Sequence, residues 1–242
     1  MELKRKLLKH IDRLTPDIVE VSRFIHHHPE LGYQERACSR FLAEKLSLQG
    51  FRVEKPLKSL PTAFRASLRG RRGPGVGFIA EYDALPDIGH GCGHNLIAAS
   101  AYGAAAALAP FLKTTGGSVW VFGTPAEEYG SAKVPMLEAG VFKPADAVIM
   151  MHPESFTLVN TTALALDALK FEFRGKSTHA SATPHEGINA LDAVIALFNG
   201  IGALRQQLKS DARVHGIITK GGTAPNVIPD LCEAQFYIRA KE

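Results

Sequence analysis

Three short apolar runs, at residues 76–81, 118–123 and 147–151, are separated by stretches of helical spacing, and they constrain this chain more than any other feature. Runs that short and that apolar suit strands buried on both faces, and the helical stretches between them leave room for crossovers. The predicted class is therefore α/β, with a mostly parallel sheet whose active groups sit at the carboxyl ends of its strands. The residues able to do chemistry stand there. Asp83 follows the first run, Glu127 and Glu128 follow the second, and His152 follows the third.

Other elements fill in around these runs. Residues 36–48 have a helical pattern closed by Gln49-Gly50, residues 51–54 read as a short strand, and alternation resumes over 62–68. Residues 132–139 read as a helix. Residues 96–112 approach the length of a membrane span, but the stretch is built from Ala and Gly and interrupted by Pro110, which favours a tightly packed core helix. Gly73, Gly75 and Gly77 imitate a nucleotide fingerprint, but they precede their strand, whereas a phosphate loop follows its strand and opens a helix. Around residue 165 the texture changes. Strands at 165–174, 213–219 and 231–240 with a helix at 188–208 predict a second, smaller α+β domain, so the domains are expected at 1–165 and 166–242.

Composition narrows the function classes. A net charge of +4, with basic clusters that lack interleaved aromatics, argues against nucleic acid as a partner. Three scattered cysteines are too few for a disulfide framework and suggest free thiols and a cytoplasmic location. The first fourteen residues read as a charged amphipathic helix without the continuous apolar core of an export signal. Asn160-Thr161-Thr162 matches a glycosylation sequon, which has no meaning without export.

The stretch Gly89-His90-Gly91-Cys92-Gly93-His94-Asn95 carries the densest chemistry. In an extended segment Cys92 and His94 would point the same way and could grip one ion. Asn95 could cap the following helix, whose N-terminus would favour a thiolate at Cys92. The residues alone leave a second reading open, a Gly-rich turn with a buried thiol. The pair Glu127-Glu128 could divide labour between general base and metal ligand. Three signals on consecutive strand ends together favour a metal.

Beyond these stretches, the motifs HHHPELGYQE from residue 26, EYDALP, GHGCGHN, PAEE, MMHP, GKSTHASATPHEGINALDA and GGTAPNVIPD follow in order along the chain. Together they resemble the amidohydrolase branch of the aminoacylase and carboxypeptidase family of two-metal peptidases, the M20 family. The resemblance implies two divalent ions, Zn²⁺ or Mn²⁺, held by Cys92, His94, Glu128 and His152, with His90 a neighbour and not a ligand. It implies Glu127 as general base, Asp83 as the carboxylate orienting a ligand histidine, and His179 as an oxyanion-stabilising donor supplied across a dimer interface. Asn226 and Arg239 match the family's substrate-carboxylate binders; a Pro-Asn turn and an edge-strand charge are their plainer readings. The second domain would be an inserted lid and dimerisation domain, making a homodimer.

The implied activity is metal-dependent hydrolysis of the amide of a small-molecule dipeptide or N-acyl amino acid. Asn95, where relatives carry aspartate, and the stretch Asn189 to Ala193 are similar to the dipeptidase and p-aminobenzoyl-glutamate hydrolase type. Family members return to the catalytic domain after the small one, with one more metal histidine. The resemblance thus implies a truncated relative, with an inactive, dimerising or weakly metal-binding remnant as the alternative function.

Overall fold

The computed structural model describes residues 2–57, 59–159 and 163–241; the sequon at 160–162 lies outside them. The chain divides into two compact units, Met1–Phe156 and Thr157–Glu242, so the division falls nine residues before the boundary expected at 165.

The first unit begins with α1 (Glu2–His27) and α2 (Arg36–Leu48), followed by β1 (Arg52–Glu54), β2 (Phe64–Arg69) and β3 (Gly75–Ala80). Then come α3 (His94–Leu108), the short α4 (Leu112–Thr115), β4 (Ser118–Gly123), α5 (Lys133–Glu138) and β5 (Ala147–Ile149). The strands form one sheet in the order β1-β2-β4-β3-β5. β3, β4 and β5 run parallel, as alternating strands and helices require, whereas β2 joins β4 antiparallel and β1 joins β2 antiparallel. The α/β class holds, and the sheet is mixed.

Burial explains these positions. β4, at the centre, buries Val119 through Gly123. One core gathers α1, α2 and α3 against the sheet through Val21, Ile25, Leu42, Leu46, Tyr102 and Val121. α3 can lie close because it is made of small residues: a Cβ on Gly103 would stand 2.7 Å from the Ile18 side chain of α1. The Ala-rich run is thus a core helix, ended by a 3₁₀ turn at Pro110. The opposite face of the sheet holds a smaller core of Trp120, Phe122, Met136 and Val141. β5 departs from expectation. It pairs with β3, Val148 and Ile149 are exposed, and so are Met150 and Met151 beyond it.

The second unit contains β6 (Ala165–Arg174), β7 (Thr178–His179), α6 (Ala190–Leu204), β8 (Arg213–Lys220), β9 (Val227–Ile228) and β10 (Leu231–Ala240). β6, β10 and β8 form an antiparallel sheet in that order, and β7 pairs with β9. Ala190 and Val194 of α6 pack on Val214, Cys232, Ala234 and Phe236. Asn189 caps α6, its Oδ1 accepting the Leu191 amide at 3.0 Å.

Candidate metal centre

Each parallel strand of the first unit delivers carboxylates or a histidine to the same end of the sheet. β3 leads into Glu81-Tyr82-Asp83, β4 into Thr124 to Glu128, and β5 into His152. The fourth contribution comes from the turn before α3. That turn is not extended. Gly93 takes φ 75°, a left-handed conformation suited to glycine, and it, not Asn95, is the residue before the helix. Asn95 instead lies inside α3 and donates from Nδ2 to Ser22 Oγ at 2.9 Å. The turn still brings the two side chains together. One ligand atom each from Cys92, His94 and Glu128 lies within 4.8 Å of the others.

His94 is the pivot. It is 1% exposed, and its Nδ1 is 2.9 Å from the carbonyl oxygen and 3.1 Å from Oδ1 of Asp83, leaving Nε2 to face the site. Around Nε2 stand Glu81 Oε2 at 3.5 Å, Glu128 Oε1 at 3.8 Å and Glu127 Oε2 at 4.0 Å. The second oxygen of Asp83 accepts the Glu128 amide at 3.0 Å, so one carboxylate fixes both a ring and a backbone. His152 is exposed. Its ring centroid is 6.5 Å from that of His94, and its Nδ1 lies 2.8 Å from the Pro153 carbonyl, which leaves Nε2 free.

The electrostatics are those of a site with too little positive charge. Burial alone would lower the His94 pKa, but Asp83, Glu81 and Glu128 together raise it. Burial would raise Asp83, and the His94 ring and the Glu128 amide outweigh it, so the carboxyl titrates low. Glu127 is pushed up, by burial first and also by Glu81 and Glu128. The Cys92 thiol is pushed up to about 11 by its hydrogen bond to Glu128, then by burial. In the metal-free chain the neighbouring carboxylate thus favours the thiol over the thiolate expected from the helix N-terminus, and a bound metal ion would reverse that balance. Oε2 of Glu81 and Oε1 of Glu128 are buried and accept no hydrogen bond, which a native site tolerates where a cation serves them. Thiol, imidazole and carboxylate form a donor set suited to Zn²⁺ or a similar ion.

His90 stays outside the group, its ring 6.4 Å from His26. In the second unit, His179 is exposed. Its Nδ1 accepts the Ser181 amide at 3.3 Å, so Nε2 carries the proton and can donate. The backbone carbonyl of Asn226 accepts the Ala180 amide at 3.0 Å. Arg239 lies on β10, the middle strand of its sheet and not an edge, with its guanidinium 6.0 Å from the Tyr237 ring. Sequence reasoning passed over Glu81 and its ion-pair partner Lys133. Glu81 could have been found, since it stands two residues before Asp83 on the same strand end. Lys133, on α5, gave no signal.

Comparison with known proteins adds to this geometry. Residues 166–242 match the sequence profile of a peptidase dimerisation domain. The chain is 41% identical over 252 residues to an Xaa-Arg dipeptidase of Mus musculus, covering 98% of this chain and 58% of that protein. It is 36% identical to one subunit of the p-aminobenzoyl-glutamate hydrolase of Escherichia coli strain K12, covering 97% of this chain and 55% of that one. It is 34% identical to thermostable carboxypeptidase 2 of Saccharolobus solfataricus, covering 99% and 67%. In fold it is similar to a dinuclear metal-binding peptidase of the M20 family from Bacillus subtilis, with a TM-score of 0.66 at 24% identity, covering 96% and 65%. The chain thus spans 58% of the length of the mouse relative and 55% of that of the E. coli relative.

Proposed function

Because the chain belongs to the M20 family of peptidases, we propose that it is the metal-binding part of an amidohydrolase that cleaves a dipeptide or an N-acyl amino acid. One observation carries the reading: ligand atoms of Cys92, His94 and Glu128 converge within 4.8 Å, with Glu127 beside them. Cys92, His94, Glu128 and His152 would hold two divalent ions. Such ions supply a water of lowered pKa and polarisation of the scissile carbonyl.

The chain's own residues do the rest. Glu127 Oε2 takes the proton of the attacking water and returns it to the leaving amine, and a carboxyl whose pKa is pushed up suits both duties. Asp83 holds the His94 ring with Nε2 forward. His179, supplied across a dimer interface, would offer an Nε2–H for the developing oxyanion, and Asn226 and Arg239 of the second unit would bind the substrate carboxylate. The mouse and E. coli relatives support Xaa-Arg dipeptides and p-aminobenzoyl-glutamate as first substrates to assay. The dimerisation profile supports a homodimer through the second unit, and three free cysteines support the cytoplasm.

A second reading, a chain that dimerises and holds a metal without turnover, is favoured by one fact. Among the described residues, the group within 4.8 Å supplies three ligands, a set for one ion. Metal analysis of the chain with an assay on those substrates separates the two. Turnover with two ions per chain, abolished by Glu127→Gln at unchanged metal content, supports hydrolysis. Unimpaired turnover in that variant removes Glu127 as the base, and no turnover with any metal leaves the second reading.

A further inference from the structure

Glu81 is a buried charge without a task in the reaction described above. It comes directly after β3 and is 1% exposed. A carboxylate so buried is strongly disfavoured unless it is paired and hydrogen-bonded. Its Oε1 lies 2.5 Å from Lys133 Nζ, but neither oxygen accepts a well-formed hydrogen bond. Its other oxygen, Oε2, lies 3.5 Å from His94 Nε2.

That proximity is informative. Asp83 occupies Nδ1 of His94, so any cation shared by His94 and Glu81 must sit on the Nε2 side, where Glu128 Oε1 also lies, 3.8 Å from Nε2. A proton can sit there, and so can a metal ion. Lys133, meanwhile, is the one ammonium paired with these carboxylates among the described residues, and its side chain is 26% exposed. A strongly hydrated point charge on a flexible four-carbon stem, part of it already in water, can leave at little cost.

We propose that Glu81 is a further ligand at the His94 side of the metal site, and that Lys133 is its internal counter-ion. The ammonium holds Glu81 in the metal-free chain and yields to an incoming divalent cation. The exchange makes no covalent bond: the ammonium keeps its proton and moves to solvent, while Glu81 Oε2 gives a lone pair to the ion. The inference rests on Cys92, His94 and Glu128 being ligands. It adds a carboxylate to them and a built-in competitor for that carboxylate.

The test is calorimetric titration of the whole 242-residue chain with Zn²⁺ and with Mn²⁺, together with thermal unfolding of the metal-free protein. Lys133→Met is expected to bind metal about tenfold more tightly, although its metal-free midpoint falls because Glu81 loses its partner. Glu81→Gln is expected to bind at least about 10- to 100-fold more weakly, since altering a group merely beside a metal ligand already costs that much. Lys133→Arg keeps the pairing, so it serves should the methionine variant fail to fold. Its guanidinium grips the carboxylate in two places, so metal affinity should fall. If Lys133→Met loses stability with its affinity unchanged, or if Lys133→Arg matches wild type, the pair is structural and the inference is wrong. Wild-type chain that takes up no metal would instead remove the ligand assignment itself.

Discussion

Glu35 is fully buried, and its Oε1 accepts the Ala126 amide at 2.7 Å across 91 positions of sequence. Ala126 has φ 53°, a left-handed backbone unfavourable for alanine, and it stands directly before Glu127. One carboxyl group thus holds the strained turn that presents the Glu127-Glu128 pair. Burial, the largest influence, pushes the Glu35 pKa up, and hydrogen bonds from its own amide, Thr62 and Ala126 only partly oppose it. An acid raised in the folded state stabilises the fold fully below its ordinary value of 4.5, and that contribution is lost as pH rises through the folded-state value. Glu35→Gln keeps an acceptor and cannot ionise. Thermal midpoints measured from pH 4 to 8 should therefore fall less with pH in the variant than in wild type. Parallel curves would show that Glu35 does not titrate in this range. Glu35→Ala leaves a buried amide without an acceptor and should cost about 1–3 kcal/mol.

At the scale of elements, what the sequence made legible depended on where its signal came from. β4 could be read because residues 118–123 are apolar on both faces and both faces are covered. β5 carries the same signal over residues 147–149 and is exposed, because an apolar run records what a strand could bury and not what lies against it. The site was legible by its strand ends. Its inner arrangement was not: Cys92 and His94 converge through a left-handed turn, and Lys133 reaches Glu81 from α5, neither of which leaves a periodic trace. The turn can be tested directly. A Cβ on Gly93 would meet Pro153 Cγ at 2.6 Å, and φ 75° disfavours any side chain. Gly93→Ala should cost about 1–2 kcal/mol through the left-handed backbone alone. It should also weaken metal binding, because the turn aims two of the ligands. Lowered stability with metal affinity unchanged would show that the ligands are aimed by something else.

For the molecule as a whole, the notable contrast is between its charge and that of its site. The chain is basic, with a net charge of +4 and a pI near 9.0, yet Glu81, Asp83, Glu127 and Glu128 gather at one histidine with Lys133 as their ammonium partner. Glu81 and Asp83 are buried, so salt screens their share of the mutual repulsion little, whereas the exposed Glu127 is screened more. A cation that binds the folded chain and not the unfolded one relieves it by linkage. At a free concentration a hundred times its Kd, such an ion adds about 2.7 kcal/mol. Zn²⁺ or Mn²⁺ should therefore raise the unfolding midpoint, and a chelator should return it. The donor set makes the effect selective. Thiol and imidazole favour Zn²⁺, so its shift should exceed that of the more oxygen-seeking Mn²⁺, whereas Ca²⁺ seeks six or more oxygens and at equal concentration should leave the midpoint unmoved. Replacing His94 with alanine should abolish the Zn²⁺ shift, because the remaining carboxylates would no longer have the nitrogen around which they are arranged. An equal rise with Ca²⁺, or a Zn²⁺ shift that survives in His94→Ala, would mean that the ions bind surface carboxylates and not this centre.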